Sequence, residues 1–244
     1  MALEKIEPKV SNLLSKFAFG FLMKSKVIEQ LDSAVEFIED IYLLKEKAVW
    51  CHNTKSLFIA DTHFGKAGHF RKAGIAVPES VHLADYMTIE SLIDQFQPET
   101  FYFLGDLFHS AINKQWLTLE EFLEGYTNIN FVLIKGNHDI LPKNIYKSSV
   151  MKIYSEPLTV GSLILSHEPM EAIPEGKLNL CGHLHPGFSV KSFGKQNCRL
   201  PCFHYKIDQL ILPSFGKFTG CVSLPLDPED RIYIIGPNGV IPFN

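Results

Sequence analysis

Residues 131–139 read FVLIKGNHD. An apolar run ends abruptly in Gly136, Asn137, His138 and Asp139, a glycine followed by three side chains that can hydrogen-bond, titrate or bind a metal. The same construction occurs twice upstream. Residues 100–106, TFYFLGD, halt at Gly105 and Asp106; residues 56–63, SLFIADTH, halt at Asp61, Thr62 and His63. Short apolar runs without alternation read as strands buried on both faces, the habit of parallel strands inside an α/β sheet. Helical periodicity fills the intervals. Pro78 and Glu79 open a helix to about Gln97 with Ile89, Leu92, Ile93 and Phe96 on one face. A second helix spans about 114–126, with Trp116, Leu119, Leu123 and Tyr126 inward. Strand, helix, strand, helix, strand predicts an α/β fold.

Upstream, residues 41–44 and 48–51 flank the charged turn Lys45-Glu46-Lys47 and read as a β-hairpin. After residue 150 the rhythm changes. Runs at 163–166, 178–181, 188–192, 209–212 and 231–235 are short and separated by turns, so this half is rich in strands. The motif-bearing domain is assigned to residues 31–244, and residues 1–30 are read as an N-terminal extension. Within it, residues 13–23 (LLSKFAFGFLM) follow Lys5 and Lys9 and so resemble the start of a signal peptide. Lys16 interrupts the run, no A-x-A site follows, and the run is too short to span a bilayer. Five cysteines without a C-x-x-C argue against a disulfide framework or a structural zinc site and fit a reducing cytoplasm. A net charge of −4 supplies no global basic field, so salt-driven, non-specific binding to long nucleic acid does not follow from charge.

The polar residues that end the runs form one chemical set: Asp61, His63, Asp106, Asn137, His138, Asp139, His167, His183 and His185. Ligands of open α/β sheets collect outside the carboxyl ends of strands, so five separate segments are expected to converge on one crevice. Imidazole nitrogen with carboxylate and amide oxygen suits Zn, Fe or Mn rather than Ca. In Asp61-x-His63 and His183-x-His185, an extended backbone would point both residues to the same side. Seven candidate ligands exceed the needs of one four-coordinate ion; two ions sharing a carboxylate use them economically. Singly, each residue has a plainer reading as a hydrogen-bonded histidine, a Gly-Asp turn or an Asn helix cap. The weight lies in the five blocks together, in order, each at the end of an apolar run.

That order, D-x-H, G-D, G-N-H-D, H, G-H-x-H over residues 61–185, resembles the calcineurin-like metallophosphoesterase superfamily. The resemblance implies a β-sandwich flanked by helices in α/β/β/α layers. It implies one ion on Asp61, His63 and His185, a second on Asn137, His167 and His183, and Asp106 bridging them. His138 would approach the substrate phosphate and Asp139 would orient it. A closer resemblance covers roughly residues 40–236. It is carried by ADTHFGKA (60–67), FRKAG (70–74), VPE (77–79), GDLFHS (105–110) and HEP (167–169), and further by GHLHPG (182–187), LPCF (200–203) and LPSFGKFTG (212–220). These are similar to the ligase-associated DNA-damage-response metallophosphoesterase (PdeM) family of endonucleases. The implied cofactors are two divalent ions, Mn²⁺ first, with Fe or Zn as alternatives. The implied substrate is a phosphodiester, DNA, with a DNA ligase or helicase as partner and no stable membrane association. His109 becomes a substrate contact or a partner of a ligand. Thr62 departs from the family's usual Leu; on extended backbone it faces away from the ligands, and little consequence is expected. The N-terminal extension is a second departure.

Several residues keep two readings. Lys66, Arg71 and Lys72 are phosphate contacts or a solvated helix face, and Phe215 is a turn residue or a platform for a base. Phe218 is read as part of a turn and Cys181 as a small buried residue. Rival functions are a small-molecule phosphoesterase (a nucleotide phosphatase, cyclic nucleotide phosphodiesterase or UDP-lipid pyrophosphatase) and a non-catalytic scaffold. Lost ligands would signal the scaffold, and here every ligand position is filled.

Overall fold

The computed structural model describes residues 33–65, 80–108, 114–155, 157–191 and 197–243. Two sheets carry the fold. The first contains β1 (Val35–Ile38), β2 (Ile41–Leu44), β3 (Ala48–Cys51), β4 (Ser56–Ile59), β5 (Thr100–Leu104), β6 (Asn130–Ile134) and β7 (Lys152–Tyr154), side by side in chain order. Pairing is antiparallel from β1 to β4 and parallel from β4 to β7. The antiparallel part includes the expected hairpin, since β2 and β3 meet around Lys45-Glu46-Lys47. Parallel neighbours need crossovers, and these contain α1 (Ser80–Phe96), α2 (Lys114–Glu124) and α3 (Lys143–Lys147). Pro78 and Glu79, expected to open the first helix, lie outside the described residues. The second helix ends at Glu124, so Tyr126 packs from beyond its end, edge-on to Phe122.

The second sheet runs β15 (Gly239–Phe243), β14 (Arg231–Gly236), β12 (Asn197–Lys206), β13 (Gln209–Ile211), β10 (Leu178–Cys181), β9 (Leu163–Leu165) and β8 (Leu158–Val160). Strand β11 (Gly187–Lys191) pairs with β12 alone. Among the described residues no helix follows Lys147.

Alternation explains the layers. Phe58, Tyr102, Leu104 and Val132 face Leu165, Leu180, Phe203 and Leu210 across the sandwich in one apolar core. Their neighbours Leu57, Phe101, Phe103 and Leu133 are equally buried, on the opposite face of the first sheet. That face is covered by the helices. Trp50, which alternates with the core residues Val49 and Cys51, meets Phe96 of α1 at 5.2 Å, and Tyr86 of α1 meets Phe122 of α2 at 4.9 Å. Double-sided burial is why these strands read as unbroken apolar runs.

The register aligns the strand ends. Ile59 pairs with Phe103 and Leu104 with Ile134, so residues 61, 106 and 137 emerge along one edge. In the second sheet Leu165 pairs with Leu180, and Cys181 with Ile211, so His167 and His183 emerge together. The two edges are joined where Phe215 N–H donates to the Ala60 carbonyl at 2.8 Å and Gly216 N–H to the Asp61 carbonyl at 3.2 Å.

Candidate metal centre

Two groups of metal-binding side chains form where the edges meet. Ligand atoms of Asp61, His63 and His185 lie within 4.8 Å of one another, as do those of Asp106, His167 and His183. The aspartates and two of the histidines are buried, while His183 and His185 are half-buried. Asp106 faces both groups: its Oδ1 is 3.4 Å from His167 Nε2, and its Oδ2 is 3.8 Å from His63 Nε2. The amide oxygen of Asn137 joins the second group at 3.1 Å from His167 Nε2.

The backbone that achieves this is not the extended one expected. Asp61, His63, Asp106, His183 and His185 all have left-handed backbones, with φ between 48° and 68°. Asp61 and His63 still share one group, as expected, but the two histidines of the second pair diverge. His183 joins Asp106 and His167, whereas His185 turns to Asp61, with 3.1 Å between His185 Nε2 and Asp61 Oδ1. Each left-handed L-residue costs about 1–2 kcal/mol, a strain that surrounding contacts must offset. Cross-bracing supplies them. The His183 amide donates to Asp61 Oδ2 and the His138 amide to Asp106 Oδ1, both at 2.9 Å. Asp61 N–H donates to the Gly105 carbonyl and His63 N–H to the Asp106 carbonyl.

Thr62 contributes to the same bracing. It is buried, and its hydroxyl donates to the Leu107 carbonyl at 3.1 Å. A leucine could not make this bond between the first two ligand loops.

The donor set fits metal ions. Asp61 Oδ1 and His185 Nε2 are buried and face each other without a hydrogen bond, a costly arrangement that a cation between them would relieve. His167 Nδ1 lies 3.0 Å from the Leu104 carbonyl, which can only accept, so the proton sits on Nδ1. Nε2 then presents a lone pair toward Asn137 Oδ1, Asp106 Oδ1 and His183 Nδ1, the last at 3.1 Å. Fixing the tautomer through the far nitrogen is how proteins orient histidine ligands.

His138 is different in kind. Its side chain is 43% exposed, and Nε2 stands 3.9 Å from Asp106 Oδ2. Asp139, two per cent exposed, accepts from the Gly136 amide at 2.8 Å and the Phe108 amide at 3.1 Å, so it joins the loops carrying Asp106 and His138. Burial lifts its carboxyl to about 6, against the pull of these two amides.

The glycines before the ligands allow the loops to pack closely. Gly105, at φ +80°, packs its α-carbon onto the His167 ring, where any side chain would collide. His109, Lys66, Arg71, Lys72 and the extension 1–30 lie outside the described residues. Cys181 is fully buried with its thiol pKa raised by desolvation, as a packing residue should be. Phe215 is also buried, which removes it as an open platform for a base, and Phe218 is 39% exposed.

The profile of calcineurin-like phosphoesterases matches residues 54–217, which includes every one of these ligand positions. The chain belongs to the calcineurin-like phosphoesterase family. Calcineurin-like phosphoesterases are hydrolases of phosphate esters that depend on two metal ions, and the paired donor groups suit that requirement. The crystal structure of nuclease MPE from Pseudomonas putida superposes with a TM-score of 0.70 at 27% identity, over 86% of this chain and 98% of that one. The E. coli phosphoesterase YfcE has a TM-score of 0.43 at 15% identity, over 76% of this chain and 96% of its own. No curated protein sequence is significantly similar to the chain. No described helix is long and apolar enough to cross a membrane.

Proposed function

We propose that this calcineurin-like phosphoesterase is a manganese-dependent phosphodiesterase that cuts DNA, an endonuclease serving a ligase-associated repair pathway in the cytoplasm. The observation that carries the phosphodiesterase reading is Asp106, whose two oxygens face two separate donor groups. In this reading Asp61, His63 and His185 hold one ion, Asn137, His167 and His183 hold the other, and Asp106 serves both. Two divalent ions supply positive charge for the phosphoryl oxygens and acidify a water molecule. His138 stands exposed at the rim with its amide fixed by Asp106, and its imidazole delivers a proton to the departing oxygen. Asp139 keeps the two loops in register.

The DNA assignment is supported by the likeness to a nuclease at 27% identity and by the sequence blocks outside the metal centre. Net charge opposes tight duplex binding, so a nicked or single-stranded substrate, delivered by a ligase or helicase, suits the chain better than intact duplex. The test is a panel of single-stranded, nicked and duplex oligonucleotides, bis-p-nitrophenyl phosphate and p-nitrophenyl phosphate with Mn²⁺, and Asp106→Ala as control. Cleavage of the nicked or single strand is expected. Turnover of the monoester alone would leave a small-molecule phosphatase.

A further inference from the structure

A pocket of about 260 Å³ is walled by the Lys45-Glu46-Lys47 turn, Asp85, Phe215, Lys217 and the Gly236-Pro237 turn. The strand register puts it at the ligand end of the sandwich. Val49 pairs with Phe58, so β3 begins, and Lys47 sits, where β4 delivers Asp61. Cys202 pairs with Ile234, and β12 pairs with β13, which runs parallel to β10, so Gly236 lies at the end from which His183 emerges. The link is covalent as well. Lys217 directly follows Gly216, whose amide bonds the Asp61 carbonyl.

The chemistry of the walls suits an anion. Neither Lys47 nor Lys217 has a carboxylate within ion-pair distance among the described residues, although both interact electrostatically with Asp85. Lys47 is half-buried, held by one long bond to the Phe215 carbonyl at 3.5 Å, and burial lowers its pKa. It also occupies a left-handed turn position, φ 63°, where glycine or asparagine would be less strained. Two carboxyls line the pocket: half-buried Glu46, which faces Lys45 at 4.0 Å, and buried Asp85, one of whose oxygens accepts from the Lys217 amide. Burial raises the Asp85 carboxyl to about 6, against the pull of the Lys217 amide and of the Lys217 and Lys47 charges.

We infer that Lys47 and Lys217 bind a second phosphate of the substrate strand, one neighbouring the phosphodiester at the metal centre. This subsite rests on the phosphodiesterase reading and adds the path of the strand: from the metals, past the 215–217 segment, toward the β2–β3 turn. It also gives a negatively charged protein the local basic patch that strand binding requires.

The test is anisotropy of a fluorescein-labelled thymidine hexanucleotide with the full chain and Mn²⁺ over a range of salt, with cleavage followed separately on gels. Lys47→Gln/Lys217→Gln should weaken binding tenfold or more at low salt. It should also flatten the dependence of log affinity on log salt by about 0.7, the value for one phosphate neutralised on a single strand. Lys47→Arg/Lys217→Arg should keep the slope. Thymidine 5′-p-nitrophenyl phosphate, which presents a lone phosphodiester to the metals, should lose less than the hexamer. An unchanged slope, equal weakening for both ligands, or no hexamer binding by the unaltered chain would overturn the subsite. Lysine-dependent binding without any cleavage would instead remove the nuclease reading and leave the subsite standing.

Discussion

One methyl group at Gly136 probes what fixes Asp106 between the two donor groups. A Cβ built there falls on Asp106 Oδ1, lies 2.5 Å from the Asp106 amide nitrogen and 2.9 Å from His167 Cδ2. The amide is backbone and the ring belongs to a candidate ligand, so neither can yield without moving the site. Overpacking of this kind costs about 1–3 kcal/mol. Pushing the carboxylate aside also breaks its bond to the His138 amide, worth about 1.5–3 kcal/mol for a charged acceptor. Gly136→Ala should therefore lose about 2.5–6 kcal/mol, or roughly 5–24 °C in melting temperature for a chain of this size. Its metal content should fall below that of the unaltered protein. Gly220→Ala is the control, because a Cβ at Gly220 meets nothing within 4 Å. Thermal melts and elemental analysis of both variants, purified with Mn²⁺, give the comparison. A Gly136→Ala protein with unchanged melting and full metal content would refute the idea that this close approach positions Asp106.

Chelation should abolish phosphodiesterase activity and Mn²⁺, Fe²⁺ or Zn²⁺ should restore it better than Mg²⁺, since four of the seven candidate ligands are imidazoles; full activity in the metal-free protein would sink the two-ion mechanism. His138→Ala should keep its metals and lose about 10²-fold or more in rate on esters with poor leaving groups. Asp106→Ala should lose the metals themselves, so elemental analysis separates the two roles. Burial lifts the Asp85 carboxyl from 3.8 to about 6, so the folded chain holds that proton more tightly than the unfolded one. Stability then declines as pH rises across that window, and the penalty persists at pH 7. Asp85→Asn keeps an acceptor for the Lys217 amide and should gain about 2–3 kcal/mol at pH 7 but little at pH 4. Urea midpoints at the two pH values test this, and equal gains would contradict it. Deleting residues 1–30 should leave melting temperature and metal content intact, because residues 34–244 form one compact unit.

The parallel core was readable because double-sided burial writes itself as unbroken apolar runs. SLFI, TFYFL and FVLI each became a strand, and each stops where the ligands begin. Strands that are half-exposed carry no such mark. Lys152–Tyr154 and Leu158–Val160 alternate over only three residues, too few to separate from a loop. The ten-residue β12, containing Pro201, reads as a break although it pairs on both sides. In the site, residue types were legible because metal ligation needs particular donors. The local geometry was not. Extended and left-handed backbones have no distinct signature at Asp or His, which tolerate both conformations better than most residues. The pocket at Lys47 left no motif either, since its walls come from segments far apart in the sequence.

The left-handed ligands give Asp61 and Asp106 two tasks each. One oxygen of Asp61 faces His185 and the other accepts the His183 amide; Asp106 likewise divides between His63 and the His138 amide. Each carboxylate thus ties down the loop that presents a histidine from another segment. Removing one should loosen a neighbouring ligand as well as deleting its own, so losses in metal affinity will not add across the set. An alanine scan would confuse the two tasks. Asp106→Asn separates them: its Oδ1 still accepts from the His138 amide, while the charge shared between the two groups is gone. If bracing dominates, this variant should melt near the unaltered protein and bind metal weakly but measurably. If charge dominates, it should be as empty of metal as Asp106→Ala, with only its melting temperature preserved.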